Sequence, residues 1–285
     1  MRIMLFMLML LAVLASAENG RIGSYSTIPA NGGQGGDAIT ITPISNYQIT
    51  FTTDILGLCY LNGTPWNDLI GMGEDDDILY EFDALTGTLL ASLPLHANNT
   101  NGYGVCYDYS VTTFYTNDWS DPLIYNWNSG SGWASFTNPA GSDGRGMDFD
   151  GTFFWQSVSD VSTSLFRLLA WQPGGSDYWY DVSSHIPSQM SGITCFWESG
   201  SLYVCVTTYD GNIYVFYIFG TTCDYIGSAT LPASSDSSFG LAYCNDLDRF
   251  FWSYSSGGNW YIYMFEMDLG LALNSATWGE IKASF

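Results

Sequence analysis

Basic side chains are almost missing from this chain of 285 residues: five arginines and one lysine, Lys282, stand against 28 aspartates and glutamates, for a formal net charge of −22. That balance repels phosphate backbones and excludes nucleic acid as a partner. Long apolar runs are equally scarce. The one at the N-terminus, Ile3 to Leu14, is shorter than the roughly 20 residues a membrane-spanning helix needs, so no transmembrane segment is expected. No Gly-x-Ser-x-Gly elbow, phosphate loop or zinc-protease motif occurs. The two histidines, His96 and His185, have no cysteine or second histidine beside them at metal-ligand spacing and read as loop residues.

What is present begins with a leader. Arg2, the apolar run and the small-x-small triplet Ala15-Ser16-Ala17 form a signal-peptide pattern over residues 1–17, so a secreted, extracellular or cell-surface protein is expected. Residues 18–37, with Asn31-Gly32-Gly33-Gln34-Gly35-Gly36, read as a flexible arm. Six cysteines, an even number in a secreted chain, predict disulfides. Cys195 with Cys205, and Cys59 with Cys106, are candidate pairs, against the alternative that these are small buried apolar residues.

A glycine followed by an apolar residue, any residue and then an aromatic or cysteine occurs at Gly57-Leu58-Cys59-Tyr60, Gly104-Val105-Cys106-Tyr107, Gly146-Met147-Asp148-Phe149, Gly192-Ile193-Thr194-Cys195 and Gly240-Leu241-Ala242-Tyr243. The glycines are 47, 42, 46 and 48 residues apart. A period in the forties, filled with short aromatic-rich strand patterns, predicts an all-β fold: a β-propeller of five four-stranded blades over residues 38–268. The segment Tyr47 to Thr53 sits where an outer strand precedes each repeat and should close the ring from the N-terminal side. Residues 269–285 are then spare: a true outer strand, an export or attachment tag, or an edge strand for another subunit. A degenerate sixth blade from Ala38 to Thr53 plus that tail stays open. The repeat openings, with strand pairs such as Asn212-Ile213-Tyr214-Val215-Phe216, resemble secreted bacterial propeller repeats of the NHL or YVTN type. That resemblance implies the fold and carries no functional residue.

Propeller chemistry is sought at the channel mouth. The variable inner-strand positions, Cys59, Cys106, Asp148, Thr194 and Ala242, supply one carboxylate in five, too few for paired acid–base work. The run Glu74, Asp75, Asp76, Asp77 suits calcium, which takes many oxygens in flexible geometry, although no Asp-x-Asp-x-Asp-Gly loop is present. Trp119 and Trp66, with Asp118 and Asp121, suit a sugar ring held by stacking and polar contacts, as in an extracellular glycan. Trp278, Ile281 and Phe285 form an amphipathic tail suited to a homo-oligomer or filament. The reading preferred on these grounds is a non-enzymatic extracellular module for self-assembly or carbohydrate binding. The alternative is a secreted, calcium-assisted hydrolase or lyase acting on a polysaccharide or lactone at the channel mouth, with Asp148 or a carboxylate from the Asp54, Asp143 or Asp236 loops.

Overall fold

The computed structural model describes residues 39–61, 68–233 and 235–270. The leader, the glycine-rich arm, Trp66 and the tail with Trp278, Ile281 and Phe285 lie outside them. Within this span, five four-stranded antiparallel sheets form a β-propeller, with no α-helix. The first blade is β2 (Gly57–Tyr60), β3 (Asp68–Gly73), β4 (Ile78–Asp83) and β5 (Leu89–Pro94). The second is β6 (Gly102–Asp108) to β9 (Gly132–Thr137), by way of β7 (Thr113–Asp118) and β8 (Leu123–Asn128). The third comprises β10 (Gly144–Phe149), β11 (Phe154–Asp160), β12 (Leu165–Trp171) and β13 (Tyr178–Asp181). The fourth comprises β14 (Met190–Glu198), β15 (Ser201–Thr208), β16 (Asn212–Phe219) and β17 (Thr222–Thr230).

The fifth blade closes the ring. Its β18 (Ser237–Cys244), β19 (Arg249–Ser256) and β20 (Asn259–Asp268) are completed by β1 (Thr40–Ile49), which pairs with β20 from Thr40 opposite Asp268 to Ile49 opposite Trp260. Closure by an N-terminal strand is as expected, but the strand lies earlier than Tyr47 to Thr53. Residues 51–53 bend instead, because the hydroxyls of Thr52 and Thr53 donate to Asp76 and Asp75 on the β3–β4 turn. The outer position of this blade is therefore filled by β1, and the described residues form five blades with no sixth.

The repeat glycines explain the ring. A methyl at Gly192 would lie 2.5 Å from the Phe239 carbonyl oxygen, one at Gly240 2.6 Å from the Leu58 nitrogen, and one at Gly146 2.7 Å from the Ile193 nitrogen. Gly57 and Gly104 face the backbone at Tyr103 and Arg145 in the same way. Each inner strand thus touches the backbone of the next, and any side chain there would prise two blades apart.

In four blades the inner-to-second strand register slips at this glycine. A slip of this kind frees a backbone group from the ladder. A polar residue on the second strand captures it: Asn117 accepts from Gly104 N at 2.6 Å, Thr207 from Gly192 N at 2.9 Å and Ser253 from Gly240 N at 2.7 Å. The same position reaches across to the next blade. Asn117 donates to the Arg145 carbonyl, Ser157 to that of Ser191 and Thr207 to that of Phe239, at 3.0, 3.1 and 2.9 Å. In the first blade the ladder is regular, and apolar Met72 stands opposite Gly57.

The predicted disulfides are corrected. All six cysteines are free thiols. Thr194 is the partner of Cys205 across the hairpin and Cys195 that of Val204, so strand alternation sends the two thiols to opposite faces of the blade, into separate cores. Cys59 and Cys106 are buried in two different inter-blade cores.

Candidate functional site at the channel mouth

Loops that enter the inner strands and loops between second and third strands meet at one end of the propeller. There they enclose a cavity of about 460 Å3 lined by Asp54, Leu56, Glu74, Asp75, Tyr103, Trp119, Arg145, Tyr209, Phe239 and Trp260, among others. Two families of position build it. Leu56, Tyr103, Arg145 and Phe239 each immediately precede a repeat glycine, while Glu74, Trp119 and Tyr209 sit at second-to-third strand turns and Trp260 just after one, at the start of β20.

One wall is acidic. Glu74 Oε1 accepts the indole hydrogen of Trp119 at 2.7 Å, and no protein donor among the described residues reaches its second oxygen. Beneath it Asp54, 5% exposed, accepts the backbone N–H of Glu74 at 3.0 Å and of Asp75 at 3.3 Å. Burial dominates its titration and raises it to about 7, against the lowering effect of those backbone hydrogen bonds. A carboxyl group that titrates near neutrality can give or take a proton there.

The opposite wall carries donors. The Tyr103 hydroxyl donates to the Tyr209 oxygen at 2.7 Å, which leaves the Tyr209 hydrogen to donate elsewhere. Arg145 Nη1 is anchored on the carbonyls of Ser142 and Gly144, with its guanidinium carbon 5.9 Å from the Tyr103 ring centre. Phe239 packs between Trp260 and Tyr209, with ring centres 4.7 and 5.5 Å away, and completes an aromatic side.

The residues singled out in the sequence scatter. Trp119 lines the cavity, but its neighbours Asp118 and Asp121 are turn residues: Asp118 accepts from Ser120 N and Asn101 N, and Asp121 from Leu123 N and the Tyr125 hydroxyl. The acidic run does not converge on a common point. Glu74 is tied to Trp119, Asp75 to Thr53, and Asp76 to Thr52 and Tyr80. Asp77 takes a left-handed backbone at the turn. No group of three or more His, Cys, Asp or Glu among the described residues is arranged to hold a metal ion. This donor set does not fit calcium.

Asp148, the inner-strand carboxylate, is a staple between blades. Its Oδ2 accepts from the Thr194 hydroxyl at 2.8 Å and from Cys195 N at 2.7 Å, and burial raises its titration. Of the carboxylates named for a hydrolytic site, Asp54 lines the cavity, whereas Asp236 holds the Gly257 turn. His96 and His185 stack on Tyr125 and Tyr225, with ring centres 4.9 and 4.5 Å apart, and neither lines the cavity. Arg145, Tyr103 and Tyr209 were missed, although the position before each repeat glycine marks the first two.

No helix among the described residues is long and apolar enough to cross a membrane. No family model matches the sequence, and no curated protein matches it. Solved structures do. A glutaminyl cyclase from Myxococcus xanthus superposes with a TM-score of 0.58 at 14% identity, covering 80% of this chain and 96% of that one. A PQQ-bound aldose sugar dehydrogenase from Streptomyces coelicolor gives 0.50 at 12% identity, covering 81% and 98%. A nidogen/laminin complex gives 0.52 at 9% identity, covering 70% and 72%. These likenesses establish the propeller fold. The first two neighbours are enzymes, and with them the preference for a non-enzymatic assembly or carbohydrate-binding module is overturned.

Proposed function

We propose that this chain is a secreted acid–base enzyme of the hydrolase or lyase class, working at the channel mouth on a lactone or similar cyclic ester. The observation that carries the reading is the cavity itself, which brings Asp54 and Glu74 to one wall and the Tyr209 hydroxyl to the other. Glu74, held by Trp119, is the base that takes a proton from an attacking water or from the carbon next to the substrate carbonyl. Tyr209 donates to the carbonyl oxygen, where negative charge collects in the transition state. Asp54, raised to about 7, holds a proton close to neutral pH and can supply it to the leaving oxygen. The volume of about 460 Å3 suits a small molecule. The leader over residues 1–17 supports secretion.

The test is turnover of a panel of five- and six-membered lactones, followed by proton release. Glu74→Gln should cut kcat by about 10²- to 10⁴-fold, the range for a lost general base. A wild-type protein inert toward every lactone and ester, or a Glu74→Gln variant as fast as the parent, overturns the reading.

A further inference from the structure

We propose that Arg145 is an anchor for a carboxylate carried by the ligand of the channel mouth, so that the cavity selects small anionic molecules with an apolar body. This inference rests on the channel mouth being the functional site.

The chain has six basic residues against 28 acidic ones, and three of the six lie in the described span. Two of these lie away from the channel mouth. Arg249 pairs with Glu266, the one ion pair found among the described residues, and Arg167 lies 4.4 Å over the ring of Trp179. Arg145 lines the channel-mouth cavity, and the other two do not. Three carboxylates share that cavity, yet each is engaged with another group: Asp54 with two backbone N–H groups, Glu74 with Trp119 and Asp75 with Thr53. None forms an ion pair with Arg145.

Its guanidinium is also held in place. Nη1 spans the carbonyls of Ser142 and Gly144, so the planar fork is set before a ligand arrives and little side-chain freedom remains to be lost. The guanidinium carbon lies 5.9 Å from the Tyr103 ring centre, and Tyr209, Phe239 and Trp260 line the same cavity, which matches an apolar body carried with the charge. In a protein so strongly acidic, a cation that lines a partly aromatic cavity and forms no ion pair is matched by an oxyanion brought in from outside.

The experiment is equilibrium binding of phenylacetate and of phenylacetamide, its neutral isostere, to the full chain at pH 8, read by tryptophan fluorescence and by calorimetry. Phenylacetate should bind about ten- to a hundredfold more tightly than the amide, the range for a charge-assisted pair. Arg145→Met should remove that difference, and Arg145→Lys should retain part of it, which separates loss of charge from misfolding. Equal binding of the two probes, no binding of phenylacetate, or a preference that survives Arg145→Met overturns the proposal. Because binding is read without turnover, failure of the lactonase reading leaves the result standing. Conversely, an enzyme that turns over neutral lactones as fast as carboxylate-bearing ones sinks the anchor and spares the acid–base assignment.

Discussion

Replacing Thr207 by valine removes one hydroxyl and leaves the shape of the side chain nearly unchanged. That hydroxyl lies in a fully buried seam between the fourth and fifth blades. It accepts from Gly192 N at 2.9 Å, donates to the Phe239 carbonyl at 2.9 Å and lies 3.0 Å from the Ser191 hydroxyl. Valine would leave one backbone N–H and one backbone C=O without partners, and each buried orphan costs about 1–3 kcal/mol. The Ser191 hydroxyl can turn to serve one of them, so the expected loss is about 2–3 kcal/mol. For a domain of this size each kcal/mol lowers Tm by about 2–4 °C, giving a fall of roughly 4–12 °C. Thr207→Ser is the control: it keeps the hydroxyl and loses one methyl, worth about 1 kcal/mol. Urea unfolding and thermal melts of the two variants decide the matter. A Thr207→Val protein as stable as Thr207→Ser would refute the argument that the register slip at the repeat glycine is stabilised by this hydroxyl.

Further expectations follow from the same geometry. Trp119→Phe removes the indole donor to Glu74 at an exposed position, so kcat on a lactone substrate should fall by about ten- to a hundredfold with the melting temperature unchanged. Asp54 binds its proton more tightly folded than unfolded, its titration being raised to about 7; stability should therefore decline as pH rises from about 4 to 7 and level off above, by up to about 4 kcal/mol. Asp148, also raised, acts in the same direction, so Asp54→Asn should flatten the slope without abolishing it. Denaturant titrations across that pH range read both. Reductant should leave Tm unchanged, whereas loss of a native disulfide typically costs 2–5 kcal/mol. Thiol titration should find Cys195 and Cys223 the first to react, with Cys59, Cys106, Cys205 and Cys244 reacting only on unfolding.

The blades were legible because steric exclusion leaves a mark at one fixed position. Wherever two inner strands touch backbone to backbone only glycine fits, so Gly57, Gly104, Gly146, Gly192 and Gly240 recur with the period of the architecture. Turn residues bound the strands in the same way: Ser201–Thr208 runs between left-handed positions at Ser199 and Gly200 on one side and Gly211 on the other. The closing strand was placed several residues late, because Thr52 and Thr53 have the β-branched composition of a strand while their hydroxyls are used to hold the acidic turn. Tertiary hydrogen bonding outweighed propensity there.

The site followed a different logic. Sequence reading looked two residues after each glycine, at Cys59, Cys106, Asp148, Thr194 and Ala242, and found a single carboxylate. The residues that line the mouth stand one before it, as Leu56, Tyr103, Arg145 and Phe239, where the strand enters from the loop. Their identities do not repeat: an aliphatic, a phenol, a guanidinium and a phenyl occupy equivalent places. The residues at or beside the second-to-third strand turns, Glu74, Trp119, Tyr209 and Trp260, are equally unlike one another. Repetition therefore exposes the scaffold, which every blade must satisfy alike, and conceals the chemistry, which needs a different group from each blade pointed at one ligand. The position before the glycine is where variation is sterically free and functionally convergent at once, and there Arg145, which forms no ion pair, is found at the channel mouth.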